Sequence, residues 1–153
     1  KKNLNIVDLG CAPGGWSQVV SKKLNGTGSI VAIDILDMPK IKGVKFIKSG
    51  LRDFEQTKLN KPIDIVISDI APNISGVGLV DNANMIDLLE IELSIVDKTL
   101  VKGGSYLANC FQGESLEFLK KEINKRFNFF KRIKPSASRN SSNEIYLLGL
   151  DKI

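Results

Sequence analysis

The sequence predicts an α/β fold: a doubly wound, mostly parallel sheet of seven strands, with helices on both faces and an antiparallel hairpin at the C-terminal edge. Three observations carry this expectation. Short, nearly continuous apolar runs alternate with helical periodicity along the chain, as in parallel strands buried on both faces. Several runs end in residues unusual for a strand end: Gly10, Asp34 and Asp69. The last two runs have no helix between them, so they should pair antiparallel and not cross over.

Residues 4–9 read as a short buried strand ended by Gly10, and a helix follows over 14–24 with a Gly/Thr turn at 25–28. Strands are expected at 29–34, more weakly at 44–47, and at 63–69. The clearest helix is 82–100, where Ile86, Leu89, Leu93, Val96 and Leu100 recur at helical spacing and form one apolar face. Lys102-Gly103-Gly104 should stop it. A fifth strand covers 105–111, and a helix over 115–126 turns Leu116, Leu119, Ile123 and Phe127 inward. Strands at 129–133 and 144–150 close the chain. With 153 residues and no repeat, low-complexity tract or linker, one domain is expected.

Composition narrows the chemistry. Apolar residues make up 42% and charged residues 25%, the balance of a globular protein. No apolar run approaches the roughly 20 residues of a membrane span, so a cytoplasmic protein is expected. Histidine is absent, which excludes Ser-His-Asp and Cys-His catalysis. Cys11 and Cys110 have no CxxC partners and read as small buried residues, not as metal ligands. Net charge is +5, and eight basic residues against one acid, Glu122, fall between Lys120 and Arg139. That stretch is either a phosphate-binding face or a solvated helix surface.

Open sheets of this kind bind ligands outside the carboxyl ends of their strands. Gly10, Asp34, Asp69 and Asn109 should therefore converge on one crevice. The segment from Gly10 to Trp16 joins a strand to a helix, where glycines admit a ligand and helix N–H groups face it. Ala12 breaks the dinucleotide pattern G-x-G-x-x-G. Asp34, at the end of the second strand, suits ribose hydroxyls, so a nucleoside is expected in place of a dinucleotide.

Asp8-Leu9-Gly10-Cys11-Ala12-Pro13-Gly14-Gly15-Trp16-Ser17-Gln18 resembles the S-adenosylmethionine (SAM)-binding signature of the FtsJ-type ribose 2′-O-methyltransferases. Ser68-Asp69-Ile70-Ala71-Pro72-Asn73-Ile74-Ser75-Gly76 is similar to that family's second signature, in the form found in bacterial large-subunit rRNA enzymes. Phe111-Gln112-Gly113-Glu114, Lys134-Pro135 with Ser138-Arg139, and Glu144-Ile145-Tyr146 also match, so the resemblance extends over essentially the whole chain. It implies a Rossmann-like fold that binds SAM. Gly14 and Trp16 would line its methionine and ribose part, Gly10 and Leu51 would also belong to the cofactor site, Asp34 would hold the ribose diol, and Asp69 would sit beside the sulfonium and face the target hydroxyl. Glu144 matches the family's catalytic glutamate. The implied partner is RNA, most of all large-subunit ribosomal RNA, met by Lys120, Lys121, Lys125, Arg126, Lys134 and Arg139. Nothing in the sequence demands more than a monomer.

Three positions depart from the family. Its strand-five catalytic lysine falls on Asn109, which can orient a hydroxyl but accepts no proton near neutral pH. The family's other lysine lies in an N-terminal segment that the resemblance implies is lacking here, and Lys1 and Lys2 do not match it. The acid that follows strand three and contacts adenine falls on Leu51. Asn109 opens a second reading, a catalytically impaired SAM- or RNA-binding module of the same fold.

Overall fold

A computed structural model describes residues 3–134 and 144–153. Lys1, Lys2, Pro135, Ser138 and Arg139 therefore lie outside the described residues. The strands are β1 (Asn5–Leu9), β2 (Ser29–Asp34), β3 (Val44–Lys48), β4 (Ile63–Ser68), β5 (Leu100–Phe111), β6 (Phe127–Ile133) and β7 (Glu144–Lys152). The helices are α1 (Gly15–Leu24), α2 (Gly78–Thr99) and α3 (Glu114–Asn124), with one 3-10 turn at Gln56–Lys58.

All seven strands form one sheet in the order β3-β2-β1-β4-β5-β7-β6. The pairings among β1 to β5 are parallel, and β7 runs antiparallel to both β5 and β6. From β1 the chain moves outward through α1 to β2, and from β4 it moves the other way through α2 to β5. Right-handed crossovers in opposite directions put α1 on one face and α2 on the other. The C-terminal pair forms as expected, but β7 inserts between β5 and β6, so β6 is the sheet edge.

The main core lies between the sheet and the α2–α3 layer, where Val66, Met85, Leu89, Leu119, Ile123 and Leu147 are fully buried. Burial of each contributes about 1.5–3 kcal/mol. Phe127, expected on the inward face of a helix over 115–126, instead opens β6 after α3 has ended at Asn124, and two larger boundary differences separate the fold from the sequence reading. Helix α2 starts four residues earlier, at Gly78, because the Asp81 carboxylate ties the preceding loop to its first turn. That carboxylate accepts the Ser75 N–H and Oγ–H, both at 2.7 Å, and the Gly76 N–H at 3.2 Å. The second difference is that Lys102-Gly103-Gly104 does not end a helix. The helix has already given way to β5 at Leu100, and Gly103 takes φ +74° within an irregularity where Ile63 pairs with Leu100 but Ile65 with Ser105. The buried face of α2 is centred on Met85, Leu89, Glu92, Leu93 and Val96; Ile86 is only half-buried. Lys152 at the end of β7 caps α2, donating to the carbonyls of Val96, Asp97 and Leu100 at 2.7–3.1 Å.

Gly149 of β7 is held by packing. A Cβ there would meet the Phe127 ring at 2.8–2.9 Å, and that ring is stacked on Tyr106. Gly149→Ala should therefore lower stability by about 1–3 kcal/mol, read as a shift in the urea midpoint at unchanged slope.

Candidate active site

One rung of the sheet sets the site. Leu9 pairs with Ile33 on one side and with Ser68 on the other, and Ser68 pairs in turn with Ala108. The next residues on these four strands, in spatial order, are Asp34, Gly10, Asp69 and Asn109. Asn109 then pairs with Tyr146 across the antiparallel junction. The four strand-end residues named from the sequence thus stand side by side.

Gly10 has φ +69°, and a Cβ on it would lie 2.1 Å from Ile70 Cγ1, so glycine is required on both counts. Its N–H donates to the Ile33 carbonyl at 2.9 Å, which turns the chain over the end of β2. Asp34 then fixes the loop: Oδ2 accepts the Ala12 N–H and Oδ1 the Leu36 N–H, each at 2.9 Å. Each oxygen keeps a second lone pair for a ligand hydroxyl.

Gly10, Asp34, Leu51 and Asp69 line a cleft of about 660 Å³ at this edge, a volume suited to a nucleoside-sized ligand. Two further residues named from the sequence lie elsewhere. Gly14 is buried against the loop after β2, where a Cβ would meet Ile41 Cδ1 at 2.9 Å. Trp16 packs on Tyr146 with ring centroids 5.5 Å apart.

Beside the cleft, Asp69 Oδ1 accepts the Tyr146 phenol at 2.5 Å. Burial raises the Asp69 pKa, the Tyr146 hydrogen bond opposes this, and the Glu144 charge adds to it. Asn109 is almost fully buried, with Nδ2 donating to Glu144 Oε1 at 3.4 Å. Its Oδ1 is buried without a partner among the described residues. Asp69, Asn109, Glu144 and Tyr146 therefore form one polar cluster, able to accept, orient and hold a hydroxyl group.

Sequence reasoning missed three contributions. Tyr146 enters the sequence expectation only within a motif, although Glu144 and Tyr146 share a strand face by their spacing of two. Asn84, Asp87 and Ile91 of α2 form a wall of the cleft; their helical spacing of three and four was the available signal. Asp8 lies beneath the cleft, 1% exposed, where its Oδ2 accepts the Ser17 hydroxyl at 2.6 Å. Burial pushes its carboxyl up to about 6; the Ser17 bond opposes this, and the charges of Asp69 and Asp34 add to it.

The basic stretch is not uniformly open. Lys120 pairs with Glu117 at 2.8 Å, Lys125 with Glu122 at 2.5 Å, and Arg126 with Glu122 at 2.6 Å and Asp97 at 2.8 Å. Helix α3 starts at the cleft edge and returns toward the opposite end, which carries these residues away from the cleft. Lys121 is exposed, and Lys134 follows β6 at the cleft edge.

The fold and site together define a Rossmann-like methyltransferase. The FtsJ-like methyltransferase family profile matches residues 1–152. The chain belongs to that family. It is 42% identical over 158 residues to the ribosomal RNA large subunit methyltransferase E of Stenotrophomonas maltophilia, spanning 99% of this chain and 75% of that relative. A crystal structure of a candidate ribosomal RNA methyltransferase from Plasmodium falciparum superposes with a TM-score of 0.87 at 27% identity, covering 99% of this chain and 88% of that one. A methyltransferase-like protein of Streptococcus mutans, solved in complex with S-adenosylhomocysteine, shares the fold with a TM-score of 0.60 at 18% identity, over 100% of this chain and 88% of the other. Among the described residues no helix is long and apolar enough to cross a membrane.

Because folding raises the Asp8 pKa, the folded state holds that proton more tightly than the unfolded chain. This contribution is fully present below about pH 4 and is lost as pH rises through about 6, a change of about 3 kcal/mol. Asp8→Asn should flatten the fall in stability between pH 4 and pH 6, followed by urea unfolding across that range.

Proposed function

We infer that this chain transfers a methyl group from SAM to a ribose 2′-hydroxyl of RNA, the substrate being large-subunit ribosomal RNA. The observation that carries this reading is the single rung that sets Asp34, Gly10, Asp69 and Asn109 side by side at the cleft. The named relative acts on ribosomal RNA of the large subunit, and a structural relative holds the demethylated product of SAM.

The cleft fits the cofactor. Asp34 has acceptor capacity for a ribose diol, and the carboxylates of Asp69 and Asp8 suit a cationic ligand. Gly10 leaves room for close approach, and Leu51 offers an apolar wall to a purine. Gly14 and Trp16 belong to the loop and helix that frame the methionine end. SAM, when bound, supplies the electrophilic methyl group.

The protein's part is chiefly positioning, because in-line transfer depends on near-attack geometry. Asp69, held by Tyr146, faces the hydroxyl and favours the partial positive charge on it as its oxygen attacks. Asn109 and Glu144 orient the same hydroxyl from β5 and β7, and the carboxylates accept its proton by way of solvent. RNA reaches the site over the β6 edge, where Lys134 stands, with Lys120, Lys121, Lys125, Arg126 and Arg139 contributing to the wider field. The chain acts as one domain over residues 1–153, as a monomer, in the cytoplasm.

Calorimetric titration with SAM and with S-adenosylhomocysteine tests the reading. One saturable site is expected, and Asp34→Ala should weaken it about 10- to 100-fold by removing charge-assisted bonds. A folded chain that binds neither ligand at millimolar concentration refutes the reading. With undermodified ribosomal RNA as substrate, Asp69→Asn should lower methyl transfer by about 100-fold while leaving SAM affinity within about threefold.

A further inference from the structure

Phe129 and Phe130 stand in water on β6, the sheet edge, with exposures of 66% and 43%. Lys131 and Arg132, which follow them, are exposed as well. Stability does not account for rings in this place. Large apolar side chains on an edge strand bury little surface and invite self-association.

The register decides which way each residue faces. Phe129 pairs with Leu150, Lys131 with Leu148, and Ile133 with Tyr146. Paired residues share a face, so these six side chains stand on one side of the sheet. It is the side of α1, because Trp16 of that helix packs on Tyr146. Leu150 is 37% exposed there, and Leu148 and Ile133 are only half-buried. The opposite side is covered by α3, and Ile145 and Leu147 are wholly buried beneath it. A row of apolar and basic side chains thus leads from Phe129 to Tyr146, whose phenol holds Asp69. At the rise of a strand, Phe129 to Ile133 spans about 13 Å, room for a few nucleotides.

Charge says what would lie there. Lys131, Arg132 and Lys134 form no ion pair among the described residues, whereas Lys120, Lys125 and Arg126 are matched to carboxylates. No acid occurs between Phe127 and Lys134. Unmatched cations interleaved with exposed rings suit a polyanion whose flat groups can stack. The bases of a duplex are already stacked on one another and closed to a side-chain ring, so the fitting form is an unpaired strand.

We propose that β6 is a docking strand for a single-stranded segment of RNA: a base stacks on Phe129, Lys131 neutralises a neighbouring phosphate, and the segment continues past Ile133 to the hydroxyl held at Asp69. The proposal rests on RNA being the substrate. It adds that nucleotides beside the target are unpaired, and it names the side chain that reads this.

Fluorescence anisotropy is measured with a short end-labelled single-stranded RNA and with a hairpin duplex of similar length, without SAM. Wild type should bind the single strand about fivefold or more tightly than the duplex, and Phe129→Ala should remove that preference. Phe129→Tyr, which keeps a ring, should restore most of it. Phe130→Ala alters the other side of the strand and should change affinity by less than about twofold. Lys131→Gln should reduce the slope of log affinity against log salt by about 0.7. Calorimetry with SAM should give the same affinity for Phe129→Ala as for wild type, which shows that the variant is folded. A wild type that binds RNA no better than Phe129→Ala overturns this proposal alone. So does a preference for the duplex, or a protein dimer that Phe129→Ala dissolves, which would make β6 a contact between copies of the chain. A wild type that binds neither RNA overturns the RNA substrate together with the docking strand, while SAM binding still tests the cofactor.

Discussion

The pairing of β1 between β2 and β4 governs this molecule. Leu9 is hydrogen-bonded into both neighbours at one level, and the crossovers from β1 and β4 leave in opposite directions. No helix can close the gap between them at the carboxyl edge, so a crevice is unavoidable there. Because parallel ladders lock neighbouring strands in register, the residues one step beyond the rung arrive together. A shift of one residue in β4 would turn Ser68 and Asp69 to opposite faces and dissolve the site.

That arrangement concentrates acids in a chain that is otherwise basic. Asp8, Asp34 and Asp69 stand close enough for the latter two to raise the proton affinity of the first. Burying the Asp8 carboxyl beside two like charges opposes folding. A cation in the cleft would offset that repulsion. On α3 the opposite holds. Lys120, and Lys125 and Arg126 just beyond the helix, are matched to carboxylates within a turn or from α2, and the exposed pairs among them are worth only about 0–1 kcal/mol each. Their arrangement fits a solvated helix more than a dedicated phosphate surface.

Much of the fold was legible in sequence. Seven strands and three helices were placed within a few residues, because buried parallel strands are short apolar runs and amphipathic helices carry their period openly. Boundaries failed where a side-chain cap or a strand irregularity outweighed the periodic pattern. Asp81 drew α2 back to Gly78 through bonds to Ser75 and Gly76, and Gly103 served a strand irregularity where a helix stop was expected. The insertion of β7 between β5 and β6 was equally hidden, since an antiparallel return says which strands pair and not which becomes the edge.

Sequence alone determined the strand-end residues Gly10, Asp34, Asp69 and Asn109, because local chain chemistry demanded a glycine turn and polar ends on apolar strands. It also determined the family, through the motifs that surround those residues. Tertiary structure decided what those residues meet. Tyr146 bonds Asp69 across 77 positions, Trp16 turns to Tyr146, and Glu92 reaches Tyr106 from another layer. Such contacts join elements distant in sequence through register and layer packing. Neither has a local signature, so a one-dimensional pattern names the residues of a site but not the partners that hold them.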